Sequence, residues 1–465
     1  MSTATDLRHH QPPHIALFPS AGMGHLTPLL RLASMLASRN CRVTLITAQP
    51  PVSTAEASHI TAFLAAYPAI NRLDFQIVPY TPPNAAAAAD PFALQFEAIN
   101  RSVHLLTPTL SSTSPPISAI FSDIASAAGV CQVADDLRIP IYIVSTTSAR
   151  FTALLPHIPS LIAPGSSITM AETSVRISGL TPFEISTLPP PFFIPNHVFT
   201  NTLVSNSLAM KKAKGILSNS FHAFEPETIS AVNGGNFIPD FPPFLPIGPL
   251  EPHKLELGDR QPLPWLDQQP PESVVYVSFG SRTAMSRAQI RELRDGLELI
   301  GRNFLWVLKS RIVDKEDTED IEELLGNSFV QRTKSKGMVV KGWVNQEEIL
   351  SHPAIGCFVS HCGWNSVMEA AARGIPVVAW PQLGDQMVNA GVVETAGLGI
   401  WEKGWGWLGV KLVKGEEIAE RVKMAMDDEK LREKARKIGE EAKTAIRAGG
   451  SSDKALMEII HDLQQ

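Results

Sequence analysis

Between Trp343 and Gln386 the chain reads WVNQEEILSHPAIGCFVSHCGWNSVMEAAARGIPVVAWPQLGDQ, and these residue types suit a nucleotide that carries a sugar. The apolar run GCFVSH is expected to be a strand that turns sharply at Cys362-Gly363 into a helix opening at Trp364-Asn365-Ser366. The unpaired backbone N–H groups and positive dipole end of such a helix suit a diphosphate. Gly363 would let the backbone approach it, Asn365 and Ser366 add side-chain donors, and His361 at the strand's end adds another. Glu369 follows Asn365 by four residues on the same helix face, where a carboxylate can accept two ribose hydroxyls. Trp343 closes the β-rich run MVVKGW, and its flat ring could stack a base. The bland alternative is an ordinary strand–turn–helix of a doubly wound sheet that binds nothing.

A second group lies near the start. PSAGMGHLTP follows the first β-rich run, which places His25 beyond a strand's carboxyl end, where doubly wound sheets bind their ligands. An imidazole with an ordinary pKa of about 6.5 suits a general base near neutral pH. Gly22 and Gly24 would allow a tight turn there. Asp123 ends the run SAIFSD, also at a carboxyl end; by itself it reads equally as the N-cap of a helix over IASAAGV. Ser281, in FGSR after VVYVS, is either a further phosphate ligand or a loop cap. Thr146, Thr147 and Ser148 end the fifth run, and one of them could touch the sugar.

The elements that must position these residues alternate. HIALFPS, RVTLITA, FQIVPY, SAIFSD and IPIYIVST read as buried parallel strands separated by amphipathic stretches such as LTPLLRLASMLASRN and DPFALQFEAINRSVHLL, with KGILSNS as a last strand. VVYVSFGS, NFLWVLK, MVVKGW, GCFVSH and PVVAWP repeat the plan in the second half. Two doubly wound α/β units follow. The proline-dense stretch from Pro239 cannot extend a helix or a central strand and reads as the connection. The boundaries are a tail over 1–12, a first domain over 13–247, a linker over 248–262, a second domain over 263–448 and a terminal helix over 449–465. The run from Asn84 to Asp90 is expected to be a mobile loop, and the charged run from Asp314 to Glu323 a solvated loop or short helix.

Composition narrows the classes. The chain has 465 residues, net charge −6 and 18% charged residues, with no basic patch of the kind nucleic-acid binding needs. No apolar run approaches the ~20 residues of a membrane span. The opening MSTATDLRHHQPPH lacks the apolar core of a secretory signal. Cys41, Cys131, Cys357 and Cys362 have neither disulfide nor zinc spacing, which points to a reducing, cytoplasmic setting. No cluster of carboxylates or of His and Cys has metal-ligand spacing, so no metal is expected. A nicotinamide dehydrogenase is disfavoured, because the turn Ala21-Gly22-Met23-Gly24-His25-Leu26 lacks a third glycine.

Across its full width, the segment from Trp343 to Gln386 resembles the signature box of plant UDP-dependent glycosyltransferases. That resemblance implies the GT-B arrangement, two Rossmann-like domains facing across a cleft, with the acceptor and base on the first and the UDP-sugar on the second. It implies Trp343 stacked on uracil and the Val344 backbone reading its edge. Gln346 and Glu369 would hold ribose, and His361, Gly363, Asn365 and Ser366 the diphosphate. Trp364, Asp385 and Gln386 would hold the sugar hydroxyls, and Gln386 goes with glucose. The loop at His25 resembles the family's catalytic-histidine loop, and Asp123 stands where the partner aspartate stands. The family inverts by direct displacement without a metal or resident cofactor. Its terminal helix crosses back over the first domain.

The pieces PSAGMGHLTPLLRLA, SDIASAAGV and WEKGWGWLG, with this form of the box, resemble a subgroup that attaches glucose to carbon in flavonoid-type polyphenols such as 2-hydroxyflavanones and phloretin-like dihydrochalcones. The family often has an aromatic two residues after the partner aspartate; here that position is Ala125. An aromatic-lined acceptor pocket is expected from the Phe-rich middle, with Phe92, Phe96, Phe121 and Phe151 as candidates, although each taken singly reads as core sooner than as pocket. The expected partners are a UDP-sugar and an aromatic polyphenol, with neither nucleic acid nor membrane, and the chain is expected to be a monomer. O-glucosylation of phenolics and a catalytically inactive UDP-sugar-binding protein remain alternatives.

Overall fold

The computed structural model describes residues 11–81, 91–163, 173–194, 197–235, 237–253, 262–310 and 319–464. Strands β1 (His14–Phe18), β2 (Arg42–Gln49), β3 (Asn71–Gln76), β4 (Ala119–Asp123) and β5 (Ile141–Ser145) alternate with helices. A two-residue hairpin, β6 (Ser174–Val175) and β7 (Phe183–Glu184), stands apart, and β8 (Gly215–Ser218) and β9 (Phe244–Pro246) complete a first sheet. Its order is β3-β2-β1-β4-β5-β8-β9, parallel throughout. The second sheet contains β10 (Val274–Ser278), β11 (Asn303–Leu308), β12 (Gly337–Lys341), β13 (Ile355–Ser360), β14 (Val377–Ala379) and β15 (Gly399–Trp401). Its order is β12-β11-β10-β13-β14-β15, again parallel. This is an α/β fold of the GT-B type.

Each sheet reverses its winding at one place, between β1 and β4 and between β10 and β13. Ligands of open parallel sheets bind beyond the carboxyl ends at such a reversal. The chain leaves β1 into the helix Met23–Ser38, here the opening helix, and leaves β13 into Trp364–Arg373, here the box helix. Both central strands are buried on both faces, which is why they read as continuous apolar runs.

Three departures from the sequence reading have physical causes. FQIVPY was expected as the third strand, but β3 is NRLDFQ, four residues earlier; it is an edge strand with alternate residues exposed, so it lacks the apolar run of a central strand. Within the proline-dense stretch lies β9, an edge strand that ends at Pro246, where a missing N–H costs no ladder bond. Three-residue β15 is too short to show a pattern. The tail up to residue 10, the Ala-rich run, most of the linker (254–261) and residues 314–318 of the charged run lie outside the described residues; Ile321–Leu325 is a short helix.

Apolar layers cover both faces of both sheets. The layer beneath β1 and β4 is completed by the last helix, Ser451–Asp462. Its Leu456, Ile459 and Ile460 pack in one cluster with Ile15, Leu17, Val43 and Phe121. Ser452 Oγ donates to the Gly248 carbonyl at 2.6 Å, and Arg39 pairs with Asp453 at 2.9 Å. The chain's end is thus bound to the first sheet.

Truncating fully buried Leu456 to alanine should cost about 2–5 kcal/mol, the range for deleting a buried leucine. A thermal melt should show a drop of several degrees, while Met457→Ala on the exposed face of the same helix should melt like the parent. Equal melting of the two variants would remove the terminal helix from the core.

Candidate active site

His25 is the third residue of the opening helix, not part of a loop. The turn before it falls on Gly22 alone, whose φ of +91° suits glycine and whose added Cβ would come within 2.9 Å of the Phe92 ring. Gly24 is helical and has open space around it.

The His25 Nδ1–H donates to Asp123, at 3.0 Å from Oδ2 and 3.1 Å from Oδ1, with Thr146 Oγ1 also at 3.1 Å. Asp123 is fully buried at the end of β4, and its Oδ1 also accepts the backbone N–H of Ala125 at 2.7 Å. The cap and the dyad are therefore one arrangement: the cap bond fixes the carboxylate that fixes the imidazole. Burial opposes an imidazolium here, and Arg282 does so too. The charge and hydrogen bond of Asp123 outweigh them with help from Asp385, so the His25 pKa stands above its ordinary value. The His25 side chain is 28% exposed, and Nε2 has no partner among the described residues. Phe96 stands edge-on to the ring at 5.3 Å.

On the second sheet, His361 follows β13, and burial pushes its pKa down to about 4, the Ser278 backbone opposing only in part. It is a neutral imidazole near pH 7. Two glycines flank it: a Cβ on Gly280 (φ +71°) or on Gly363 would lie 2.5 Å from His361 Nε2. Gly363 was expected to let the backbone approach a diphosphate after a tight Cys362-Gly363 turn. The structure puts the left-handed residue at Cys362 (φ 61°), so Gly363 is required for the space beside His361. Ser281 is exposed, and its carbonyl accepts from Lys309 Nζ.

Asn365 bridges the two halves. Pro28, inside the opening helix, has no N–H to offer the carbonyl four residues back, and that carbonyl is Gly24's. Asn365 Nδ2 donates to it at 3.2 Å. The structure keeps Glu369 with Gln346 and Ser366: Gln346 Nε2 donates to Glu369 Oε2 at 2.7 Å and to Ser366 Oγ at 2.9 Å, and Tyr276 OH reaches Gln346 Oε1 at 3.2 Å. Trp343 is 43% exposed, with His59 edge-on at 6.1 Å, while Val344 beside it is buried. Asp385 accepts from Asn389 Nδ2 at 2.9 Å and, from the first half, from Thr147 Oγ1. The three residues that end the fifth strand thus separate: Thr146 faces His25, Thr147 binds Asp385, and Ser148 caps the next helix at the Phe151 N–H.

Several candidate side chains are turned elsewhere. The Trp364 indole lies in the core beside Phe224, and its N–H is taken by the Asn219 carbonyl at 2.8 Å; only its backbone remains for a sugar. Gln386 Oε1 accepts the backbone N–H groups of Gln382 and Leu383, which leaves its amide nitrogen. Phe121 is fully buried under the sheet against Tyr142, and Phe151 is packed in the core of the opposite face. Phe92 is buried under the Arg282 guanidinium, and Phe96 stands edge-on to the base.

Arg31 was missed by the sequence reading. It is buried on the opening helix, and its Nη2 donates to Glu369 Oε1 at 2.6 Å and to Glu347 Oε2 at 3.1 Å. The signal was a lone arginine in the apolar run LLRLASML. Among the described residues no group of three or more His, Cys, Asp or Glu could share a metal ion, and no helix is long and apolar enough to cross a membrane.

Comparison with known proteins agrees with this geometry. The family model for "UDP-glucoronosyl and UDP-glucosyl transferase" matches residues 259–440. UDP-glycosyltransferase 708C1 of Fagopyrum esculentum is 49% identical over 99% of this chain and 98% of its own. UDP-glycosyltransferase CGT of Oryza sativa subsp. japonica is 46% identical over 96% and 95%. An anthocyanidin 5,3-O-glucosyltransferase of a Rosa hybrid cultivar is 31% identical over 96% and 98%. Among solved structures, LpCGTa in complex with UDP superposes with a TM-score of 0.85 at 44% identity, covering 98% of this chain and all of that one. The chain belongs to the plant UDP-dependent glycosyltransferases and resembles their C-glycosyltransferase members.

Proposed function

We propose that this enzyme transfers glucose from UDP-glucose, with inversion, to a carbon of a flavonoid-type polyphenol such as a 2-hydroxyflavanone or a phloretin-like dihydrochalcone. The observation that carries the reading is the hydrogen bond of His25 Nδ1 to buried Asp123, which commits Nδ1 and leaves Nε2, beside Phe96, without a partner among the described residues. Residues 13–247 would hold the acceptor and 263–448 the donor. Trp343 would stack on uracil, with the Val344 backbone at its edge. Gln346 and Glu369 would hold ribose. His361, Gly363, Asn365, Ser366 and, more peripherally, Ser281 would hold the diphosphate. The Trp364 backbone, Asp385 and the Gln386 amide nitrogen would hold the glucose hydroxyls.

His25 Nε2 takes the proton of an acceptor phenol. The phenolate shares its charge with the ortho carbon, which attacks the anomeric carbon as the bond to UDP breaks. The C–H proton then passes to water, the ring regains aromaticity as a phenolate, and the phenolate oxygen takes back the proton held on His25. The box-helix N-terminus and neutral His361 stabilise the charge that grows on UDP. Whether carbon or oxygen attacks depends on which of them lies nearer the anomeric carbon. The four free, buried cysteines support action in a reducing compartment, and we take the enzyme to work as a cytoplasmic monomer without a metal.

Incubation with UDP-glucose and phloretin, followed by acid hydrolysis and mass fragmentation, tests the reading. A C-glucoside survives acid with cross-ring fragments; release of free glucose would assign the chain to O-transfer, which the anthocyanidin relative favours. Absence of any transfer across a panel of phenols would leave a UDP-sugar-binding protein.

His25→Ala should lower kcat by about 10²–10⁴-fold while UDP still binds in calorimetry. A rate within threefold of the parent would remove His25 as base.

Asp123→Asn keeps the cap at Ala125 but offers an N–H to Nδ1, which moves the imidazole proton to Nε2 and removes the base's lone pair. A loss of about 10²–10⁴-fold is expected. Because Asp123 raises the His25 pKa, the parent loses activity as pH falls through that raised value. Without the anion, the acidic limb of the residual activity should move to lower pH. A parental rate with an unmoved limb would reduce Asp123 to a cap.

A further inference from the structure

The ribose carboxylate proposed above is not free: it is held by a residue of the opposite half. Arg31 lies six residues after His25 on the opening helix, a rise of about 9 Å along a rigid rod. Its side chain is 7% exposed and that of Glu369 8%. Their 2.6 Å contact is a charge-assisted bond, short for its type. One nitrogen, Nη2, serves both Glu369 and Glu347, and Glu347 passes its other oxygen to Arg373 at 3.0 Å. Two cations and two anions therefore balance beside the box helix. Glu369 gives Oε1 to Arg31 and Oε2 to Gln346, so its plane is fixed from two directions.

A carboxylate carries about four acceptor sites, and two of Glu369's are used. Buried without a cation, it would lose its charge and with it the strength of its bonds to hydroxyls. Burial and the neighbouring Glu347 push the Glu369 carboxyl up, the Arg31 guanidinium pulls it back toward the ionised form, and its unused lone pairs are held in one orientation. We propose that Arg31 is a positioning residue for recognition of the donor: it pairs with Glu369 and holds it aimed at the ribose hydroxyls of a uridine diphosphate. The opening helix would then set both ends of the donor site, with the base at its first turn and the ribose anchor two turns on. The inference rests on the reading of Glu369 as the ribose ligand.

The test compares Arg31→Met, Glu369→Gln and the double variant with the parent, titrating UDP and 2′-deoxy-UDP by calorimetry. A bond to a charged group supports roughly 10–100-fold in affinity. Arg31→Met should weaken UDP by that factor and 2′-deoxy-UDP much less, so the preference for the ribonucleotide collapses. In turnover, the KM for UDP-glucose should rise more than kcat falls. Arg31→Met should add no loss on top of Glu369→Gln, because both act through one carboxylate. If the methionine variant does not fold, Arg31→Gln, which keeps a donor and loses the charge, reads the same preference. UDP affinity within twofold of the parent, equal losses for the two nucleotides, or additive losses in the double variant would each overturn the inference while the ribose role of Glu369 stands. An unchanged preference in Glu369→Gln would instead remove Glu369 from ribose, and the role of Arg31 with it.

Discussion

A parallel strand covered on both faces can carry a working polar side chain only where it ends. That constraint organises this molecule. Asp123, Thr146, Thr147 and His361 all stand at or just beyond carboxyl ends, and the strands that lead to them are buried and mostly apolar. The reversal in each sheet opens a gap between two such ends, and the helices leaving the gaps start with their unpaired N–H groups beside it. In the proposed reading, chemistry and nucleotide binding share one seam, because an ionised group inside either sheet would be unsolvated.

Across that seam the two halves are joined by polar contacts on residues that also belong to the proposed donor site: Arg31 to Glu369, Thr147 to Asp385, and the Gly24 carbonyl to Asn365. The last depends on Pro28, whose missing N–H leaves that carbonyl without its helical partner. A helix imperfection thus becomes a specific contact. These bonds orient side chains before a ligand arrives, so less ordering entropy opposes binding.

The sequence carried the central strands and the donor box because both are local. A strand buried on both faces shows itself as an apolar run, and the box lies within one contiguous segment. What it hid depends on neighbours. Edge strand β3 has only one partner and no apolar signature. Trp364 follows a strand end at a helix start, yet no sequence pattern says that its ring turns inward to Asn219. Phe96 and Phe121 are the same residue type, one beside the base and the other under the sheet. Arg31 meets Glu369 across 338 positions, a pairing that only the folded chain creates.

The terminal helix also bears on how the protein is made. Its Leu456, Ile459 and Ile460 finish the layer beneath β1 and β4, strands made long before it. About two hundred residues separate it from β9, which at typical elongation rates is on the order of 10–40 s of synthesis. During that interval Ile15, Leu17 and Val43 lack part of their cover. A nascent chain stalled before the last helix would expose a sticky apolar strip, a natural foothold for chaperones and for quality-control proteases.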